Sequence, residues 1–326
     1  MDALLQNPVQ PNVEGLREWI LEGRRQPRVH VVELFQDPPI KRAVAERCGL
    51  WEGLDLTDPL DALRAEIELQ SFLGYDMIRV QLRLDMGFFR NQVEDAVDPA
   101  TGQSAGQRGW ADEHAGPIQT RADLEAYTWP RVEDLDFSLF EWCEKNLPDG
   151  MGVYTLTAHI LEHVSWLMGY ETLCYQLYDD PELVAEVVRR VGELSDAYTR
   201  AVCDFECVEV LWGSDDMGHR GGTLISAATL RELFLPYHAS SARLAHEHGK
   251  MYWLHSCGHL EEIMPDIIET VGVDAKHSYE DVILPVEQVI DRYGDRIGIL
   301  GGIDVDFLCR ADEEAIRSRV RNVLEK

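Results

Sequence analysis

Lys250-Met-Tyr-Trp-Leu-His255-Ser-Cys257-Gly258-His259 sets a short apolar run directly before an imidazole, a thiol and a glycine. The run 251–254 is too short for a helix and lies between Gly249 and Gly258, so it reads as a buried strand. Imidazole nitrogen and thiolate sulfur are preferred ligands of zinc, and a turn after a strand can aim both at one ion. Gly258 lets the backbone bend close beside them. The same spacing also suits a core thiol next to a helix-capping imidazole. His-x-Cys alone does not separate the two readings.

The pattern repeats outward from this stretch. Apolar runs at 29–34, 77–82, 153–157, 208–212, 251–254, 273–276 and 297–300 alternate with polar turns and amphipathic segments. Strands alternating with helices predict a parallel sheet with crossover helices. Asp180 and Pro181 open one predicted helix over 181–202, and Ser226 caps another that reaches Glu247, with Gly249 as its stop. Further helices are predicted over 261–270, 285–292 and 311–325. The stretch 85–147 breaks the rhythm and is expected to be an insertion within one domain spanning residues 1–326.

Residues capable of chemistry gather just past the predicted strands: Glu33, His159 and Glu162, Ser214 to Asp216, His255 and Cys257, His277 and Tyr279, and Asp304. In an eight-stranded α/β barrel the C-terminal ends of the strands share one face, where active sites lie. Any single Asp or Ser there can equally cap the next helix, but six recurrences favour the barrel. The expected fold is therefore α/β, a (β/α)8 TIM-type barrel. Seven strands do not close it, so the last strand is expected to be missing from a chain that ends early.

Composition narrows the partners. Acidic residues outnumber basic ones 59 to 30, for a formal net charge of −29. Such a surface repels nucleic-acid phosphates and anionic lipid, so neither nucleic acid nor membrane is expected as a partner. Seven scattered cysteines in a chain of 326 residues suit free thiols in a reducing cytoplasm. The first fourteen residues lack the charged and apolar segments of a signal peptide, and no apolar run approaches a membrane span. There is no G-x-S-x-G, Walker loop or G-x-G-x-x-G after a strand.

A catalytic zinc needs a third protein ligand and an open position. By type, Glu162, Asp216, His277 and Cys309 qualify, and sequence does not choose among them. The adjacent carboxylates Asp215 and Asp216 can push one pKa upward for acid–base work, or cap a helix. Asp76 enters the second predicted strand and is either structural or aimed into the barrel mouth.

Trp212-Gly-Ser-Asp-Asp-Met-Gly218, Leu235-Pro-Tyr237, Leu254-His-Ser-Cys-Gly258 and Ile299-Leu-Gly-Gly-Ile-Asp304 together resemble the uroporphyrinogen decarboxylase superfamily. Gly116-Pro-Ile118, Ala122 to Tyr127 and Trp129-Pro130 resemble its mid-chain segment. The superfamily holds metal-free decarboxylases and zinc methyltransferases that exchange methyl groups with corrinoid proteins. The resemblance implies a zinc site at His255 and Cys257 with a further Cys near the C-terminus; from the candidates by type, Glu162 is taken as the third ligand. It also implies Asp76 as a central carboxylate and Ser214 as a substrate contact; the adjacent pair Asp215 and Asp216, chosen by type, completes the expected catalytic set.

The Arg-rich R-Q-A-G-R-Y segment of the decarboxylases is absent, and Arg24-Arg25-Gln26-Pro27-Arg28 stands instead. The first expectation is a zinc-dependent methyltransferase acting on a small-molecule methyl donor or acceptor, with the corrinoid (cobalamin) supplied by a partner protein. The alternatives are a uroporphyrinogen decarboxylase of porphyrin biosynthesis and a non-catalytic corrinoid- or tetrapyrrole-binding module. Metal content separates the first from the second, and turnover separates both from the third.

Overall fold

A computed structural model describes residues 9–94 and 107–326. Six parallel strands form its main sheet: β1 (Met77–Arg79), β2 (Gly152–Thr157), β3 (Val208–Ser214), β4 (Met251–His255), β5 (Ala275–His277) and β6 (Gly298–Leu300). They lie side by side in chain order, each parallel to the next. Monotonic order is the winding of a barrel; a doubly wound sheet reverses order at a switch point. β1 and β6 are not paired with each other among the described residues. The architecture is α/β, a curled half-barrel with helices outside: an incomplete TIM-type barrel.

The two-residue period of the strands sorts side chains between two cores. Met77, Tyr154, Leu156, Val210, Trp212, Met251, Trp253, Ala275 and Leu300 fill the concave inner face. Val153, Leu211, Tyr252 and Leu254 turn outward into the larger core under the helices. Helix Pro181–Cys203 shows how a helix meets that core. Its buried residues Leu183, Val184, Val187, Val188, Val191, Val202 and Cys203 recur at helical spacing, and the Asp180 carboxylate caps it by accepting from the Leu183 N–H at 3.1 Å. Ser226 caps the next helical stretch as predicted, accepting from the Thr229 N–H. That stretch passes through a π-turn over Leu230–Phe234 just before Pro236, which has no N–H to give a regular ladder.

Six of the seven expected strands form, within a few residues of their predicted bounds. The seventh is corrected: 29–34 joins no ladder. Its burial does alternate, with His30 and Leu34 inside, which is why the pattern imitates a strand. Its carbonyls go to side chains instead. The Tyr154 hydroxyl donates to the Glu33 carbonyl at 2.5 Å and Arg79 Nη1 to the Leu34 carbonyl at 3.2 Å. Within the expected insertion, the described residues form a two-stranded hairpin, Arg90–Glu94 with Gln107–Ala111, and helices Arg121–Ala126 and Ser138–Asn146. No helix among the described residues is long and apolar enough to cross a membrane.

Candidate metal centre

β4 ends on the inner face. Trp253 points inward and Leu254 outward, so His255 follows Trp253 toward the concave side. Cys257 comes two residues later, in the turn. Parallel pairing sets Ser214, the last residue of β3, opposite His255, and sets His255 opposite His277, the last residue of β5. Asp216 follows β3 by two residues, as Cys257 follows β4. Two neighbouring strands with the same exit geometry therefore deliver Asp216, His255 and Cys257 to one place.

The three offer ligand atoms that all lie within 4.8 Å of one another. Cys257 Sγ stands 3.5 Å from His255 Nε2, and His255 Nε2 stands 3.4 Å from Asp216 Oδ1. Ligands of one tetrahedral zinc, at bond lengths of ~2.0–2.3 Å, are ~3.3–3.6 Å apart. The donor set of one nitrogen, one sulfur and one carboxylate oxygen suits zinc and leaves a fourth position open. The residues present fit the ion.

Backbone and side chains hold this geometry. The Cys257 N–H donates to Asp216 Oδ1 at 2.8 Å, and the Gly258 N–H donates to Glu280 Oε1 at 2.9 Å. Gly258 has φ +86°, and a Cβ there would meet the Gly218 carbonyl carbon at 2.2 Å. The turn therefore packs backbone against backbone, which only glycine permits at that φ. Ser256 Oγ accepts from the Met217 N–H at 3.0 Å. Lys276, on the outward face of β5 and fully buried, donates to the carbonyls of Ser256, His277 and Ser278 at 3.1, 3.2 and 2.9 Å. Its Nζ also sits 4.5 Å from the centre of the Tyr279 ring.

Burial and neighbouring groups shift several titratable side chains at the cluster. Burial, with help from the Asp216 charge, pushes the Cys257 thiol up to about 12. Burial also works to raise Asp216, but hydrogen bonds from His255 and the Cys257 N–H outweigh it and hold the carboxyl at about 2. Burial, then the neighbouring His255 and Lys276, depress His277 to about 3, so its ring is neutral. Burial lowers Lys276 to about 8 against the raising pull of Cys257 and Asp216.

The other sequence candidates lie elsewhere. Glu162, taken as third ligand, is in helix Ile160–Met168 after β2 and is not one of the clustered three. Its Oε2 meets His159 Nδ1 at 3.3 Å. Burial raises its pKa, and the charges of Asp215 and Asp216 add to the rise, so it lies within their electrostatic reach. Asp215 is fully buried and turned away from its neighbour. It accepts from the Leu161 and Glu162 N–H groups at 2.9 and 2.8 Å and meets His238 Nε2 at 2.8 Å; His238 in turn meets the Tyr252 hydroxyl at 2.9 Å. This carboxylate ties the helix after β2 to the end of β3. Ser214 is buried at the level of His255.

Asp76 is not brought to the cluster. It precedes β1, so it stands at the N-terminal end of a parallel sheet whose C-terminal end carries the three ligands. There it pairs with Arg28, meets His30 Nδ1 at 2.8 Å and accepts the Asn12 N–H at 2.7 Å. Cys309 is exposed on helix Val305–Arg310, outside the cluster. His277, a candidate ligand by type, instead meets His255 ring to ring, Nδ1 to Nδ1 at 2.8 Å. Sequence reasoning missed Lys276, although a lysine inside an apolar strand was a visible signal.

Comparison with known proteins agrees with this frame. Among solved structures, a methyltransferase from Methanosarcina mazei superposes with a TM-score of 0.62 at 14% identity, covering 90% of this chain and 83% of that one. No curated protein sequence matches. The family model for uroporphyrinogen decarboxylase (URO-D) matches residues 141–326. That match takes in β2 to β6 and all three clustered residues, more than half of the sequence, so the chain belongs to the uroporphyrinogen decarboxylase family.

Proposed function

We propose that this protein is a zinc-dependent methyltransferase that exchanges a methyl group between a small molecule and a corrinoid carried by a partner protein. The observation that carries the reading is the convergence of Asp216, His255 and Cys257, their ligand atoms within 4.8 Å of one another, on the concave mouth of the half-barrel. Bound there, zinc would act as a Lewis acid, making a thiol a better methyl acceptor near neutral pH or an ether oxygen a better leaving group.

The chain's own residues supply position and charge. Asp216 and Cys257 are fixed by the hydrogen bond between them, and Lys276 sets a buried cation against the turns that follow β4 and β5. Ser214, buried and level with His255, is the candidate substrate contact. Glu162 and His159, joined at 3.3 Å, can hold or pass a proton at its rim. The structural neighbour is itself a methyltransferase, which supports the reading.

The arginines argue in the same direction. A decarboxylase of a poly-anionic tetrapyrrole needs cations at the mouth. Here Arg28 is spent on Asp76 at the far end of the sheet, and Arg24 pairs with Glu18 and Glu22. The test is metal analysis of the purified protein together with methyl-transfer assays using methylated corrinoid and thiol acceptors. About one zinc per chain and zinc-dependent transfer are expected. A protein with no zinc that decarboxylates a porphyrinogen would replace this reading with the metal-free one.

A further inference from the structure

The contact between His255 and His277 imposes a proton count. Two nitrogens at 2.8 Å, Nδ1 to Nδ1, need one proton between them; two bare lone pairs would repel and two N–H groups would clash. Such a pair has two tautomeric arrangements, one with a proton on His255 Nε2 and one with a proton on His277 Nε2. If the proton sits on His255 Nε2, that nitrogen donates toward Asp216 Oδ1 at 3.4 Å and has no lone pair for a metal. If it sits on His277 Nε2, His255 Nδ1–H donates to His277 Nδ1 and His255 Nε2 is bare, facing Asp216 and Cys257.

Only the second arrangement is a ligand. The structure allows it, because no donor among the described residues points at His277 Nε2 and the ring is only half-buried. The ring stands instead at 89° to the Trp212 indole with centroids 5.4 Å apart. Register explains why the two rings meet: His255 and His277 are paired across β4 and β5, each the last residue of its strand and each on the inner face.

We infer that His277 is a positioning residue for the metal centre. It accepts the His255 Nδ1 proton, carries its own on Nε2, and so fixes His255 in the tautomer whose Nε2 binds metal. This rests on the zinc reading above. It adds that the second imidazole is required although it is not a ligand, as outer-shell acceptors are for metal-bound histidines generally.

The experiment compares wild type, His277→Phe and His277→Asn by competition for zinc against a chromophoric chelator. Circular dichroism checks the folds, and ring 15N spectra of the wild type are recorded with and without zinc. His277→Phe is expected to lose about 10–100-fold in zinc affinity. His277→Asn, which offers a carbonyl oxygen near the former Nδ1, is expected to regain most of it. The zinc-loaded wild type is expected to show His277 protonated at Nε2. Unchanged affinity in His277→Phe overturns the inference while leaving the zinc reading intact. A wild type that binds no zinc removes both. Should His277→Phe fail to fold, His277 protonated at Nδ1 in the zinc-loaded wild type overturns the inference by itself.

Discussion

The imidazole Nε2 of His255 and the sulfur of Cys257 stand 3.5 Å apart, the separation of two ligands on one tetrahedral zinc. Cys257→Ala removes a soft anionic donor, and Asp216→Asn removes a charge. Each is expected to cut zinc affinity by more than the ~10–100-fold that outer-shell changes cause. Glu162→Gln is expected to keep zinc, because its carboxylate lies outside the cluster. Isothermal titration of the three variants decides which carboxylate is the third ligand. Zinc retained by Asp216→Asn and lost by Glu162→Gln would reverse the assignment.

Asp76 has the surroundings of a structural anchor. Its buried carboxylate holds Arg28, His30 and the Asn12 backbone, joining the N-terminal segment to the base of β1. Asp76→Asn leaves a guanidinium without its partner and is expected to cost about 3–5 kcal/mol in urea unfolding, as for breaking a buried pair. Zinc affinity should not change. A variant with wild-type unfolding but impaired methyl transfer would instead return Asp76 to the catalytic set.

Lys276 gives a pH test whose sign is fixed. Its folded pKa is lowered from 10.5 to about 8, so between those values the unfolded chain binds more protons. Stability from this group therefore rises with pH across that window. Relative to Lys276→Met, zinc-free wild type is expected to gain on the order of 3 kcal/mol between pH 8 and 10.5. Denaturant midpoints of both proteins across that range check this. A difference that stays constant with pH would mean the amine is charged throughout.

Gly258 is the hinge of the ligand turn. Gly258→Ala forces a Cβ into the Gly218 carbonyl carbon at 2.2 Å and His219 N at 2.4 Å, at a φ that L-residues avoid. The neighbouring backbones must part, and Cys257 moves with them. The expected result is a lower unfolding midpoint together with weaker zinc binding. An alanine variant matching wild type in both would show that the two turns are not tightly packed.

Much of the fold was legible because strand and helix periods are local. The runs that became β1 to β6 are apolar and bounded by turn residues, and Asp180 and Ser226 cap the helices that follow them. The run 29–34 misled because alternating burial does not require a ladder; its carbonyls went to Tyr154 and Arg79, more than forty residues away. Asp215 and Asp216 are adjacent in sequence, yet one caps a buried helix and the other faces the mouth. No local signal tells such neighbours apart.

The sequence by itself determined the α/β winding, through its periodicity, the family, through the resemblance of its motifs, and the nearness of His255 to Cys257, through their short spacing. Only the tertiary structure decided that Asp216 and not Glu162 joins them, that His277 backs His255, and that Asp76 anchors the opposite end of the sheet. Those choices depend on which residues of separate strands stand level. Register between strands is fixed by packing and hydrogen bonding across the whole sheet, and a shift of one residue would turn each side chain to the other face.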